Sequence, residues 1–520
     1  MHRLPKRSQC QRSLPLRLFL LFSLLSMGRD TLADISRCFG IHVIDAKTGR
    51  GVPLVELKTV SNIRYVTDSA GWAAIDDPAL LGQRVFFSIK SHGYEFPADG
   101  FGNRGVRLDV AVGKSAEIKI NRINIAERLY RITGEGIYRD SVLLGKPAPI
   151  EQPLINAQVT GQDSDEPIVY KNKVRFFWGD TGRQSYPLGH FGTAGATADL
   201  PQSGGLDPSV GINLHYFTDV EGFSRPMIPD PPNHLRWVDG MTVLRDASGA
   251  ERLLARVQVH ESLARVLETR LLIYNDKTDC FDLLKKIDKD SSLGPVGHGL
   301  RVRADDADYL YYGQSFPNIR VHANIDDFQN LAAYEGFTCL KPGARFNKDQ
   351  TELDRDSTGK IVWAWKKGTA VLDSQQIDFL VRTGQLKRDE LWLMPKDAVS
   401  GKRLHLDICS VTFNDYRKKY VGIAAEIGGT SSFLGEIWYT EADRPEGPWK
   451  TARKIVTHDH YSFYNPVHDV FYDQDGGRVI YFEGTYATTF SRDDDPTPRY
   501  DYNQMMYRLD LADPRLALPE

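Results

Sequence analysis

Cysteine is scarce in this sequence, with 5 among 520 residues, and so small a number excludes a disulfide-rich scaffold. No Cys-x-x-Cys pair or Cys/His cluster has the spacing of a zinc site. Basic residues are not in excess, since 65 Lys and Arg stand against 68 Asp and Glu, a net charge of −3. That balance argues against nucleic acid as a partner. Phosphate-binding glycine loops and Gly-x-Ser-x-Gly motifs are also missing, which disfavours nucleotide-binding proteins and serine hydrolases.

Hydrophobic runs of membrane-spanning length are absent too. The apolar run Leu18–Met27 is about half of the ~20 residues that a spanning helix needs. Residues 1–17 before it carry basic residues and no acidic one, and the small-x-small site Thr31-Leu32-Ala33 follows it. This order predicts a signal peptide over 1–33, cleaved near Ala33, and a secreted or periplasmic protein without a membrane span. A membrane anchor is the alternative interpretation.

Residues 34–121 contain short β-rich runs, such as Phe39–Asp45, that alternate with turns. Turn signals about every 8–12 residues predict a small β-sandwich. The region resembles the carboxypeptidase-regulatory, or transthyretin-like, β-sandwich of exported bacterial proteins, through Val43-Ile44-Asp45, Thr48-Gly49, Val52-Pro53, Thr67–Gly71 and Gly93-Tyr94. The resemblance implies a spacer or binding module without catalysis. Residues 122–147 are predicted to be a connector with some helix.

Residues 148–520 repeat one pattern five times: an extended run, a tight polar turn and a second extended run. The turns are rich in residues that tolerate left-handed conformations, as hairpins require; they are Lys171-Asn172, Asp246–Gly249, Asp305–Ala307, Asn414-Asp415 and Asp475–Gly477. Each gap between hairpins has room for two more strands, and an array of four-stranded units predicts a propeller. The predicted fold class is therefore all-β, with a small N-terminal β-sandwich plus a five-bladed β-propeller. A large β-sandwich or jelly roll is the alternative for the second domain.

Two stretches of the second domain resemble five-bladed propeller glycosidases, namely glycoside hydrolase family 43 and the bacterial endo-D-arabinanase propellers. Gly161–Ser164 followed by Phe176–Thr181, which includes a Gly-Asp-Thr signature, looks like their first blade. Tyr439–Ala442 with Gly447–Trp449 resembles an outer strand of such blades. The resemblance implies a sugar site in a funnel on the propeller axis. The full three-carboxylate set of family 43 has no match in this sequence.

The first hairpin places two acidic residues symmetrically about its turn. Asp163 and Asp180 are equally distant in sequence from the turn centre between Lys171 and Asn172, so they are predicted to face each other on one rim. Two neighbouring carboxyl groups push their pKa values apart, as the acid and base of glycoside hydrolysis require. The alternative is structural: Asp163 caps a turn, and Asp180 bonds to nearby backbone.

The same symmetry in the fifth hairpin predicts that His468 and Glu483 pair across the axis from the two aspartates. Glu335 lies among apolar neighbours and is a candidate general acid. The predicted catalytic residues are thus Asp163, Asp180, Glu335 and Glu483. The predicted substrate-binding residues are polar or aromatic groups near the hairpin ends: Trp178, Arg183, Asp239, Glu261, His298, Tyr464, Asn465, His468 and Tyr486.

These patterns predict an exported glycoside hydrolase that cleaves a polysaccharide or oligosaccharide by paired-carboxylate chemistry in an axial funnel. A non-catalytic carbohydrate- or protein-binding propeller is the alternative. We expect no cofactor and no metal in the active site, with a structural divalent cation on the propeller axis as an open alternative. The expected partner is a carbohydrate, and no nucleic acid is expected.

Overall fold

The computed structural model describes residues 37–229, 234–491 and 495–519. The predicted signal peptide and its cleavage site lie outside these residues, so export stays a prediction. Within the described ranges, no helix is long and apolar enough to cross a membrane. The described residues belong to one compact unit.

The N-terminal β-sandwich consists of β1 (Phe39–Asp45), β2 (Glu56–Thr59), β3 (Arg64–Val66), β4 (Trp72–Ile75), β5 (Arg84–Lys90), β6 (Tyr94–Glu95), β7 (Gly105–Asp109) and β8 (Ser115–Arg122). One sheet has the order β4-β1-β8-β6 and the other β3-β2-β5-β7. Alternating apolar residues explain the packing: in β5, Val85, Phe87 and Ile89 are buried, whereas the strand ends are exposed. The sandwich confirms the first part of the predicted fold class.

The C-terminal region contains most of the strands. They are β9 (Glu127–Arg131), β10 (Val159–Gln162), β11 (Ile168–Tyr170), β12 (Lys173–Trp178), β13 (Thr181–Arg183), β14 (Tyr186–His190), β15 (Ala194–Asp199), β16 (His215–Tyr216), β17 (Leu235–Arg245), β18 (Glu251–Ser262), β19 (Arg265–Asn275), β20 (Cys280–Ile287), β21 (Leu300–Ala304), β22 (Ala307–Tyr312), β23 (Ile319–His322), β24 (Glu335–Thr338), β25 (Ala364–Lys367), β26 (Lys396–Asp397), β27 (Leu406–Asn414), β28 (Lys419–Glu426), β29 (Ile437–Ala442), β30 (Thr451–Val456), β31 (Ser462–His468), β32 (Val479–Ala487) and β33 (Asn503–Asp510). The α-helices are short: α1 (Arg139–Leu143), α2 (Ile325–Phe328) and α3 (Ser374–Arg382).

In the described residues most of these strands form five propeller blades, while β10, β13 and β14 form a separate three-stranded sheet of order β10-β13-β14. The first four have the orders β11-β12-β15-β16, β17-β18-β19-β20, β21-β22-β23-β24-β25 and β27-β28-β29-β30, the last of these extended by β26. The fifth is β31-β32-β33-β9, so its outer strand comes from before the first blade. This pairing closes the ring. The five-bladed propeller of the predicted fold class is confirmed, and the predicted connector 122–147 supplies both α1 and the closing strand.

The first and fifth hairpins differ in register. In the first, Ile168 pairs with Arg175 about a two-residue turn whose residues have φ of 51° and 60°. In the fifth, β31 ends at His468, and 3-10 turns at Val470–Tyr472 and Asp475–Gly477 interrupt the hairpin. Val467 therefore pairs with Glu483, and His468 with Phe482. The predicted His468–Glu483 pairing is wrong by one residue.

Candidate functional site

Asp163 and Asp180 meet at the open end of the first blade, as the hairpin symmetry predicts. The backbone N–H of Gly179 donates to the Asp163 carbonyl at 2.8 Å, and that of Asp180 donates to Asp163 Oδ1 at 3.0 Å. Burial, followed by the charge of Asp180, raises the pKa of Asp163 to about 6. Burial also raises the pKa of Asp180. Asp163 thus binds the backbone of the opposite strand end and is at the same time one of two adjacent acids with raised pKa.

Aromatic side chains from neighbouring blades surround this pair. Trp237 of the second blade donates its Nε1–H to Asp180 Oδ1 at 2.7 Å. Tyr464 of the fifth blade donates to Asp163 Oδ2 at 3.2 Å, and the Tyr502 hydroxyl is hydrogen-bonded to Asp163 as well. Both carboxyl oxygens of Asp163 therefore accept hydrogen bonds. No described residue hydrogen-bonds the second carboxyl oxygen of Asp180. That oxygen is open to a bound molecule.

A second polar network lies on the propeller axis. His298 Nδ1 of the third blade is 3.3 Å from Glu166 Oε2 of the first blade, with side chains 16% and 13% exposed. Blades one and three are not neighbours in the ring, so this contact crosses the axis. In the second blade, Arg256 binds both oxygens of Asp239, with Nε 2.8 Å from Oδ1. Asp239 contributes to the electrostatic environment of both Glu166 and His298.

A glycine at a strand irregularity brings the third-blade loop onto this network. β17 shifts register between Asp239 and Thr242, and Gly240 lies there with φ of 59°. A Cβ on Gly240 would be 2.7 Å from the backbone of Pro295. The Gly240 N–H donates to the Gly297 carbonyl at 2.9 Å. The close approach that only glycine permits therefore positions His298.

Three further acids are sealed inside the protein near the interface of the first and fifth blades. Asp165, Asp469 and Glu483 are each at most 1% exposed. None of their six carboxyl oxygens has a well-formed hydrogen bond from a described protein donor. Burial raises the pKa of each far above its ordinary value, and the negative charge of a neighbour in the group raises it further. Such groups stay protonated and are not accessible to a substrate.

Six of the predicted site residues lie in these two networks: Asp163, Asp180, Tyr464 and Asn465 in the first, and Asp239 and His298 in the second. Asn465 joins the first network because its side-chain amide donates to Ser164. Two predicted catalytic residues lie elsewhere. Glu335 is on the fourth strand of the third blade and binds Arg320 at 2.6 Å, and Glu483 is one of the sealed acids.

Five predicted substrate-binding residues also lie outside these networks, for two reasons. Trp178, His468 and Tyr486 are buried: Trp178 stacks on Phe176, His468 bonds to Thr412 and Asp473, and Tyr486 bonds to His92 of the sandwich. Arg183 and Glu261 are held by charged partners, Glu221 and Arg265 respectively. Aromatic and charged residues near the hairpin ends therefore serve packing and surface pairing in these cases.

Sequence reasoning missed Glu166, Trp237, Arg256 and Tyr502. Glu166 continues the first hairpin, since its N–H donates to the Phe177 carbonyl at 2.8 Å, so the same symmetry could have found it. Trp237 and Arg256 lie on the long strands of the second blade, where no local pattern marks them. Among the described residues, no group of three or more His, Cys, Asp or Glu is arranged to hold a metal ion.

Comparisons with known proteins give only distant likeness. No protein-family model matches the sequence, and no curated protein is significantly similar to it. An exo-1,5-α-L-arabinanase from a bovine ruminal metagenomic library shares 8% identity at a TM-score of 0.33, over 68% of this chain and 94% of that one. A glycosyl hydrolase from Bacteroides ovatus shares 9% at 0.34, over 69% and 87%. The GH43_1 enzyme from Xanthomonas citri shares 11% at 0.32, over 69% and 90%. Because these identities and TM-scores are low, the propeller fold is assigned here from the strand pairing and not from the similarity to these structures.

Proposed function

We propose that this protein is an exported glycoside hydrolase that cleaves a polysaccharide or oligosaccharide, with Asp163 and Asp180 as its central carboxylates. The observation that carries the proposal is the adjacent pair of acids with raised pKa at the open end of the first blade. Glycosidic cleavage needs two proton-handling groups in different protonation states beside one bond.

The hydrogen bonds support different roles for the two aspartates. Asp163 accepts from the Asp180 backbone, Tyr464 and Tyr502, so its position is fixed. Asp180 accepts from Trp237 through one oxygen and keeps the other available. We assign Asp180 as the group that activates water or attacks the sugar, and Asp163 as the acid that orients it.

The aromatic surroundings fit a sugar. Phe490 is 57% exposed, and its ring packs edge-on against Tyr464 at 5.6 Å between centroids. Trp237 is partly exposed beside His260. Sugar rings stack their C–H faces on aromatic rings while their hydroxyls bond to polar groups.

The activity is tested by screening the purified chain, without residues 1–33, against plant and bacterial polysaccharides. Wild-type protein is expected to release oligosaccharides. D180N should lose this activity with its fold intact, whereas E261Q, at an exposed hairpin tip, should keep it. Export is tested separately by N-terminal sequencing of the secreted product, which is expected to begin near Asp34. A product that begins at Met1 would refute export.

A non-catalytic carbohydrate-binding propeller is the second candidate, favoured by the structural hydrogen bonds that Asp163 accepts from the backbone of Gly179 and Asp180. In that case the wild-type protein would bind a polysaccharide without cleaving it, and D180N would only weaken the binding. Affinity electrophoresis in polysaccharide gels, run beside the cleavage screen, separates the two functions.

A further inference from the structure

The proposed mechanism requires a proton donor for the departing sugar. Asp163 accepts hydrogen bonds through both of its carboxyl oxygens, and the two predicted catalytic residues outside the aspartate pair do not supply a donor either. Glu335 is paired with Arg320 on an outer strand, and Glu483 is sealed. The inference below rests on the proposed function and asks which residue fills this role.

The axial contact between His298 and Glu166 has the geometry of an acid–base couple. His298 Nδ1 faces Glu166 Oε2 at 3.3 Å, and both side chains keep a small exposed area. No described residue hydrogen-bonds His298 Nε2. Because Nδ1 is engaged and the ring is not fully buried, Nε2 is the nitrogen that a bound molecule can reach.

The neighbouring charges favour the protonated imidazole. Arg256 binds Asp239 through its two-pronged contact, whereas the Glu166 carboxylate contacts His298 directly and balances a charge there. Burial lowers the pKa of His298, but the charges of Glu166 and Asp239 outweigh burial and leave it above the ordinary value. Burial also raises the pKa of Glu166, and His298 counteracts that rise.

We propose that His298 is the catalytic proton donor to the departing sugar oxygen and that Glu166 is a positioning residue that holds His298 in its charged form. As the bond between the anomeric carbon and the leaving oxygen breaks, its electron pair stays on that oxygen, which takes the proton from Nε2. Water adds its oxygen to the anomeric carbon and gives its proton to a carboxylate. The products are two hydroxyl compounds, and proton exchange with solvent resets both groups.

The test uses aryl glycosides of the sugar that the polysaccharide screen identifies, with phenols of graded acidity as leaving groups. A phenol of low pKa departs without help, whereas one of high pKa needs a proton. H298N is expected to lose about 10²–10⁴-fold in kcat/KM on the poorest leaving groups and to stay near wild type on the dinitrophenyl glycoside. The basic limb of its pH profile should disappear. In E166Q that limb should move to lower pH.

His322 provides the matched control, because it lies in the same blade on β23 and is exposed. H322N should behave as wild type with every leaving group. H298Q is tested beside H298N in case one variant does not fold. An equal loss on all leaving groups with an unchanged pH profile would show a structural role and overturn the proposal. A wild-type chain that cleaves no glycoside would instead refute the proposed function, before any variant is compared.

Discussion

In the first blade, a two-residue turn joins two regular strands, and the acids beyond the strand ends emerge together where donors and solvent reach them. In the last blade, two 3-10 turns separate the strands, and Glu483 points into a closed space with Asp165 and Asp469. Both hairpins carry titratable residues at matched sequence distances from a turn, Asp163 and Asp180 in one and His468 and Glu483 in the other, and only the first hairpin brings its pair together.

The difference shows how strongly a one-residue change of register alters chemistry. Paired residues of antiparallel strands share a face of the sheet, so the shift that pairs Glu483 with Val467 also sends His468 to the opposite face. His468 then bonds to Thr412 of the fourth blade, while Glu483 adjoins Asp165 from the first. The register therefore separates His468 from Glu483, whereas Asp163 and Asp180 stay together.

The largest expected effect is a difference in activity between a variant of the first hairpin and a variant of the fifth. D180N should lower kcat/KM by about 10²–10⁴-fold, the range for removal of a general acid or base. E483Q should stay within a few-fold of wild type, because its side chain is 0% exposed. Hydrolysis rates of the two purified variants on one substrate give the comparison. Equal losses would mean that the sealed acids belong to the reaction.

The sequence was sufficient to predict the hairpins and the ring of blades, because turn residues and alternating apolar runs are local signals. Asp163 and Asp180 were found because the Lys171-Asn172 turn is symmetric. Closure of the ring by β9 had no local signal, since its partner β33 is far along the chain. The contact between Glu166 and His298 depends on that closed ring, so their partnership could not be derived from spacing.

The second prediction concerns stability rather than activity. Burial and the adjacent Asp165 charge raise the pKa of Glu483, so the folded chain keeps a proton that the unfolded chain releases. This contribution to stability is complete below a pH of about 4.3, the ordinary pKa of Glu, and is lost as pH rises toward the higher folded pKa. E483Q should remove the part of this pH dependence that Glu483 causes and raise the free energy of unfolding at pH 7 by about 1–3 kcal/mol.

Chemical denaturation of wild type and E483Q from pH 4 to 8 measures this pH dependence. E261Q is the control, since its carboxylate is exposed and lies at a hairpin tip. The wild-type and E261Q curves should be parallel, and E483Q should diverge from them as pH increases. Three parallel curves would show that Glu483 ionises as readily in the folded chain as in the unfolded one.

A smaller effect is expected at the irregularity that links the last blade to the first. Asn465 has φ of 49°, and its side chain donates to Ser164. N465A and N465G both remove that hydrogen bond, but only alanine carries a Cβ into the left-handed conformation. N465A should therefore be about 1 kcal/mol less stable than N465G, as measured by denaturant midpoints. Identical midpoints would mean that the backbone relaxes away from this conformation.

The smallest prediction tests the hydrogen bond that distinguishes Asp180 from the sealed acids. Trp237 donates to Asp180 at 2.7 Å, which lowers the pKa of Asp180 against the larger effect of burial. W237F keeps an aromatic ring and removes the donor, so the pKa of Asp180 should rise further. If Asp180 acts in its ionised form, the acidic limb of kcat/KM against pH should move to higher pH. The size of this shift should correspond to the loss of one hydrogen bond to the ionised carboxylate, about 0.5–1.5 kcal/mol. Because Trp178 is also a tryptophan of this region but is buried, and its indole N–H donates to no described residue, W178F should leave that limb in place even if it lowers stability. A W237F profile that overlays the wild-type profile would show that the acidic limb belongs to another group, with Asp163 the next to test.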